Sequence, residues 1–243
     1  VDITAEYRAA ARGEELFWNR AMLHELKTPV NAVLGFTDLA LSGLRGDTTA
    51  VDMGECLDTI RGSAAGMLRA VNDVLRTADS SQLQSEDVPL GVYLQEVCDR
   101  HRPAAKAHGV GLTVAADTDL VLCADVDRLT KIVDNLIVNA IKYSGPGGSV
   151  RVTAYQNRSG GIELGVADTG IGIDPADVER IFDPYVRLTD DRDVAAREGS
   201  GLGLAVVRRL LWVHGGDIRV VSRKGAGTRF TAAFPAWRTC APA

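Results

Sequence analysis

The sequence predicts two folds in succession: an all-α helical hairpin, then an α+β two-layer sandwich. From Met53 to Val74, apolar residues recur at alternating steps of four and three, the spacing of a helical seam. Beyond the polar stretch Asp79–Asp87, helical stretches are set among short strand-like runs, joined mostly by hairpins. That mixture places helices on one face of a mixed sheet. At 243 residues the chain has room for two modest domains.

Residues 3–43 read as one long helix whose pattern is interrupted at Gly13 and Pro29. Leu16, Leu23, Leu26, Val30 and Val33 form its seam, widened by Leu34 and Leu41. "SGLRGDTT" (Ser42–Thr49) has the composition of a turn. A second helix, about 51–79, carries Met53, Leu57, Ile60, Ala64, Met67, Val71 and Val74. An isolated hairpin leaves its seam half exposed, so two chains pairing into a four-helix bundle is the expected way to bury it. The alternative is that both seams pack on the rest of the chain. After the polar linker, residues 90–107 and 125–142 read as helices, and "VGLTVAA" and "LVLCA" as short strands. "SVRVTAYQN" and "GIELGVAD" form a hairpin, 201–214 is a helix opened by glycines, and "DIRVVSR" with "GTRFTAAFP" closes on another hairpin.

Composition narrows the function. Aromatic residues make up 5% of the chain, which argues against stacking on single-stranded nucleic acid. The net charge of -5 argues against nucleic-acid and anionic-membrane partners. No run approaches a membrane span, and no signal peptide is visible. Cys56, Cys98, Cys123 and Cys240 are far apart, with no CxxC pair or Cys/His cluster to suggest zinc; a reduced intracellular chain is the simple reading. The first residue is Val1, so the chain reads as a piece of something longer.

Two glycine segments point to an anionic ligand. "DTGIGI" (Asp168–Ile173) follows a strand, and "GSGLGL" (Gly199–Leu204) opens a helix. Neither has the spacing of a Walker A loop or a dinucleotide fold. Glycines ahead of a helix let backbone N–H groups approach an anion. Each segment alone is more simply a turn; together they favour a nucleotide. Asp168 adds selectivity, because a carboxylate only accepts hydrogen bonds. The adenine amine can donate to it, whereas the guanine oxygen at that place would repel it. A turn-capping aspartate is the competing reading. On the helix "DRLTKIVDNLIVNAIKYS", Asn135 and Asn139 lie one turn apart, with Lys142 and Tyr143 a turn further on. Such amides can hold Mg2+ and the phosphates it bridges; the plainer reading is two solvated amides on an amphipathic helix.

The chain resembles the cytoplasmic core of a bacterial sensor histidine kinase. The resemblance rests on "HELKTP", "NLIVNAIKYS", "DTGIGI", "IFDPYVR", "GSGLGL" and "HGGDIRVVSRKGAGTRFTAAFP", in the family's order over about residues 15–235. Tyr185 stands where the family usually has a second phenylalanine. The resemblance implies a dimerisation and phosphotransfer domain at 15–80, a linker at 81–87, a Bergerat-type ATP-binding domain at 88–236 and a tail at 237–243. It implies ATP and Mg2+ as cofactors, with Asn139 as metal ligand and Asn135, Lys142 and Tyr143 along the phosphate and nucleotide side. Asp168 would read adenine. Gly170, Gly172, Gly201 and Gly203 would shape the pocket and a lid over about Val186–Glu198.

The resemblance also gives "AMLHELKTPVNA" (Ala21–Ala32) a purpose. Neutral imidazole is a nucleophile near neutral pH. His24 lies about 100° round the helix from the seam residue Leu23, at the edge of the bundle. Glu25 can accept the proton of one ring nitrogen and raise the nucleophilicity of the other. Thr28 lies on the same face as His24, at the place where the family often orients a water for dephosphorylation of the partner. Pro29 has no N–H for the carbonyl of Glu25, which permits a bend beside the phosphoacceptor. A plain surface histidine is the alternative for His24 taken alone.

The implied activity is transfer of the ATP γ-phosphoryl group to His24 and then to an aspartate of a response-regulator receiver domain, in a cytoplasmic homodimer. A catalytically degenerate, kinase-like dimeric scaffold is the second reading. A third, an ATPase clamp on the same nucleotide fold, leaves the "HELKTP" hairpin without a reason. "VDITAEYRAA" resembles the junction between a PAS-type sensor domain and a signalling helix over 1–14, so such a sensor is expected upstream.

Overall fold

The computed structural model describes residues 30–31, 33–44, 53–64, 83–117, 119–183, 186 and 201–240. The chain divides into two compact units, Val1–Ala78 and Asp79–Ala243. In the first unit, residues 33–44 form helix α1 and 53–64 form helix α2. Ala40 and Cys56 are buried, but the seam residues Leu34 and Leu57 are 57% and 56% exposed. Gly62, inside α2, has open space where a Cβ would stand.

The second unit begins with β1 (Glu86–Pro89) and α3 (Leu90–Ala107), followed by β2 (Gly111–Ala116) and β3 (Val121–Ala124). Helix α4 (Val126–Tyr143) leads into β4 (Ser149–Gln156) and β5 (Ile162–Asp168). Helix α5 (Gly203–Val213), β6 (Asp217–Arg223), β7 (Gly227–Phe234) and β8 (Thr239–Cys240) complete it. Two sheets result. The larger runs β2-β4-β5-β7-β6, parallel only between β2 and β4. The smaller runs β1-β3-β8, antiparallel throughout.

Strand alternation decides which face of the large sheet is covered. Val150, Val152 and Ala154 of β4, Leu164 and Val166 of β5, and Phe230, Ala232 and Phe234 of β7 are buried. Helices α3, α4 and α5 contact these strands, giving the two-layer α+β sandwich. Between them on the strands lie polar side chains. There Glu163 accepts from Tyr155 Oη at 2.6 Å and from Arg219 at 2.5 Å. Helix α4 is the central support. Asp125 caps its N-terminus by accepting from Arg128 N at 3.1 Å. Its stripe of Leu129, Ile132, Val133, Leu136 and Ile137 has no solvent exposure.

Two ends of the unit differ from the sequence expectation. Glu86 and Asp87, within the stretch read as linker, pair with Ala124 and Cys123 in the small sheet. Thr239 and Cys240, in the stretch read as a tail, pair with Leu122 and Val121. Arg238 secures that end: its guanidinium is buried and donates to Ser85 Oγ at 2.8 Å and to the Cys123 carbonyl at 3.2 Å. Strands this short carry little pattern of their own; the partner strand β3 and the buried arginine define them. His214 is fully buried nearby, with Nδ1 2.7 Å from the Leu210 carbonyl and Nε2 3.3 Å from Asp125 N. The amide must donate to Nε2, which fixes a neutral ring with its proton on Nδ1. Burial lowers the pKa of this ring.

Candidate active site

At the C-terminal end of β5 the chain enters the "DTGIGI" loop, which faces α4 on one side and the β6–β7 turn on the other. Three close approaches position the loop. A Cβ on Gly170 would collide with the Tyr143 carbonyl at the end of α4. Gly172 has φ +67°, and its Cβ would strike the Arg223 carbonyl. On the opposing hairpin, a side chain at Gly227 would strike the Asp168 carbonyl. Hydrogen bonds lock the same surfaces: Ile171 N donates to the Tyr143 carbonyl at 3.2 Å, and Gly225 N donates to the Ile171 carbonyl at 2.6 Å. Ile173 N donates to Ser222 Oγ at 2.8 Å, and that oxygen lies 2.9 Å from Thr228 Oγ1.

This frame holds Asp168 half-buried. Its Oδ1 accepts from Gly170 N at 2.8 Å and from Thr228 N at 3.2 Å. Burial raises the carboxyl pKa above the ordinary value, and the two backbone N–H bonds oppose that rise. Among the described residues, both hydrogen bonds to the carboxylate fall on Oδ1. The Gly170 bond is the turn-capping contact that competed with a ligand role in the sequence. In the structure one oxygen serves as the cap while the residue also lines a cavity.

That cavity measures about 380 Å³. Asn139 and Tyr143 of α4 line one side, Ile171, Ile173 and Phe230 supply apolar wall, and Lys224 also lines it. Phe182 backs the wall edge-on to Phe230, with ring centroids 6.3 Å apart. The structure thus brings Asn139, Tyr143, Asp168 and Gly172 to one cavity. Gly170, in the same loop, packs against the Tyr143 carbonyl and does not line the cavity. Asn135 serves another contact: its Nδ2 donates to the Lys131 carbonyl at 2.8 Å, and a Cβ on Gly203 would stand 2.6 Å from its Oδ1. Gly203 therefore gives α5 clearance over Asn135, and Gly201 turns the chain into α5 with φ +73°. The Lys142 ammonium lies 5.0 Å from the Tyr143 ring centroid.

His24, Glu25 and Thr28 lie outside the described residues, as do Tyr185 and all of the expected lid except Val186. Sequence reasoning missed Thr228, Ser222 and Lys224. The "RKGAGT" turn that carries two of them was visible, but only the fold brings it beside Asp168.

The glycine-locked loop, the anchored carboxylate and the α4 amide on a two-layer sandwich define a nucleotide-site class, and comparison with known proteins agrees. Residues 124–238 match the family described as histidine kinase-, DNA gyrase B- and HSP90-like ATPase. Residues 16–82 match the His Kinase A (phospho-acceptor) domain. The chain belongs to the sensor histidine kinases. It is 37% identical over 241 residues to histidine protein kinase DivJ of Caulobacter vibrioides, covering 96% of this chain and 39% of that protein. A solved structure of full-length ShkA in complex with AMPPNP aligns at TM-score 0.65 and 29% identity, covering 93% of this chain and 46% of that one. The mycobacterial sensor histidine kinase MprB aligns at TM-score 0.54 and 30% identity, covering 62% of this chain and 97% of that one. The chain spans about two fifths of the length of the curated relatives it matches.

Proposed function

We propose that this chain is the ATP-dependent protein-histidine kinase core of a two-component system. The observation that carries this reading is the Asp168 carboxylate, anchored through one oxygen at the wall of a largely apolar cavity. Ile171, Ile173 and Phe230 suit the faces of an adenine ring, and Asp168 Oδ2 accepts its exocyclic amine. The family matches and the AMPPNP held by ShkA support ATP as the nucleotide.

Asn139 fits the metal role. Its half-buried amide stands on the cavity wall, and a neutral carbonyl oxygen is a suitable single protein ligand for a hard cation that keeps waters and phosphate oxygens. When bound, Mg2+ neutralises charge on the β- and γ-phosphates. Tyr143, with Lys142 stacked on it, borders the phosphate side, and α5 presents its glycine-opened N-terminus. A lid over about Val186–Glu198 covers the nucleotide.

His24 attacks the γ-phosphorus. An N–P bond forms, the bond from that phosphorus to the β–γ bridging oxygen breaks, and ADP leaves. Glu25 holds the proton of the other ring nitrogen. The phosphoryl group then passes from His24 to a carboxylate oxygen of a response-regulator aspartate, which restores neutral imidazole. Thr28 positions a water for hydrolysis of that acyl phosphate, making the core a phosphatase as well. Two chains pair through the hairpin, which covers Leu34 and Leu57. A PAS-type sensor precedes the signalling helix 1–14, and the protein works in the cytoplasm.

Incubation with γ-labelled ATP and Mg2+ tests the reading. Acid-labile, base-stable label on the parent chain, absent from His24→Ala, is the expected result. Nucleotide bound without label would favour the degenerate scaffold. Released phosphate without label would favour an ATPase clamp.

A further inference from the structure

The cysteines far apart in sequence are not all far apart in space. Cys123 lies on β3, and its cross-strand neighbour on β1 is Asp87. Cys240 on β8 pairs with Val121, two residues along β3 from Cys123 and therefore on the same face of the sheet. The Asp87 carboxylate and the two sulfurs lie within 4.8 Å of one another. Both cysteines are free thiols, partly exposed, and Asp87 is exposed, so the cluster opens to solvent.

We propose that Asp87, Cys123 and Cys240 bind a thiophilic divalent cation, with zinc as the best fit. Two sulfurs and one carboxylate oxygen form a donor set that zinc accepts, and water can fill the fourth position. Tetrahedral zinc with bonds of about 2.3 Å to sulfur sets the two sulfurs about 3.8 Å apart. The cluster therefore needs to contract by no more than about 1 Å between the sulfurs and about 1.3 Å between sulfur and oxygen, within reach of side-chain rotation. Each ligand comes from a different strand. Strands β1 and β8 have four and two residues, so few ladder bonds hold them to β3. The ion would clip the entry strand of the unit and its last strand to β3. Nothing in the nucleotide site takes part.

The test uses the whole chain, fully reduced and stripped of metal with a chelator, and titrated with Co2+. One equivalent should produce thiolate-to-cobalt charge-transfer bands and the intense visible bands of a tetrahedral ion, and Zn2+ should displace it. Cys123→Ser and Cys240→Ser should each weaken binding by about a hundredfold or more, since loss of an indirect supporting group already costs about 10- to 100-fold. Asp87→Asn should weaken it by about tenfold or more. Cys56→Ser should bind as the parent does. Zn2+ should slow hydrogen exchange at Val88 and Leu122 in the parent and not in the Cys123→Ser/Cys240→Ser double variant. A parent chain without cobalt bands, or bands that persist in that double variant, would overturn the proposal.

Discussion

Replacing Asp168 by asparagine separates recognition from folding. Asparagine keeps a carbonyl oxygen at Oδ1, so the bonds from Gly170 N and Thr228 N survive and the loop stays in place. The change falls on the other atom, where an NH2 group replaces an acceptor and faces the amine of adenine. The lost charge-assisted bond and the opposed donors together cost about 2–4 kcal/mol, or about 30- to 700-fold in Kd. Stability moves differently. The fold raises the carboxyl pKa, so the folded state binds the proton more tightly than the unfolded chain. That contribution is fully present below the ordinary carboxylate pKa and is lost as pH rises through the raised value. Above the raised value the ionised group opposes folding, and the neutral amide removes the penalty. Calorimetric titration with a non-hydrolysable ATP analogue, beside thermal melts, reads both quantities. Weakened binding with an unchanged or higher Tm is expected, together with a smaller preference for ATP over GTP. Parent-like affinity would refute the adenine assignment, and a joint loss of affinity and Tm would refute the claim that Asp168 supports the loop through Oδ1 only.

Asn139→Ala should remove Mg2+-dependent phosphoryl transfer while leaving metal-free nucleotide binding within about threefold, read by labelling and by displacement of a fluorescent nucleotide. Thr28→Ala should spare autophosphorylation and slow dephosphorylation of the regulator; equal rates in variant and parent would count against a phosphatase role. The folded pKa of His214 is lowered below its unfolded value of 6.5, so its contribution to stability is present above that pH and lost as pH falls through the lowered value. Melts between pH 7.5 and 5 should show a decline that His214→Gln flattens. Gly62→Ala should raise the hairpin's stability by about 1 kcal/mol, because α2 has space for the methyl group.

The legible parts of the sequence were those with local physical causes. The pattern predicts helix α4 over 125–142 and the helix runs from Val126 to Tyr143, because a cap and a continuous apolar stripe belong to the segment itself. The glycine turn that places Asp168 at the cavity was legible in its own segment. The second anchor of Asp168, Thr228 N, comes from 60 positions away, and a backbone donor leaves no residue-type signal. Strands β1 and β8 owe their existence to β3. The Asp87, Cys123 and Cys240 cluster went unseen for the same reason: cysteine spacing along the chain reports local metal loops, not ligands gathered by strand pairing.

Main-chain anchoring of Asp168 predicts which substitutions a saturation library would retain. The anchor from position 228 is an amide that every residue except proline supplies, so valine or serine there keeps it within the same buried volume. The Gly170 amide is equally generic, yet a Cβ at that position has no room beneath the Tyr143 carbonyl. Selection for nucleotide retention should therefore leave only glycine at 170 and several small residues at 228. One aspartate's two restraints would thus be recorded in the library as one invariant column and one permissive column.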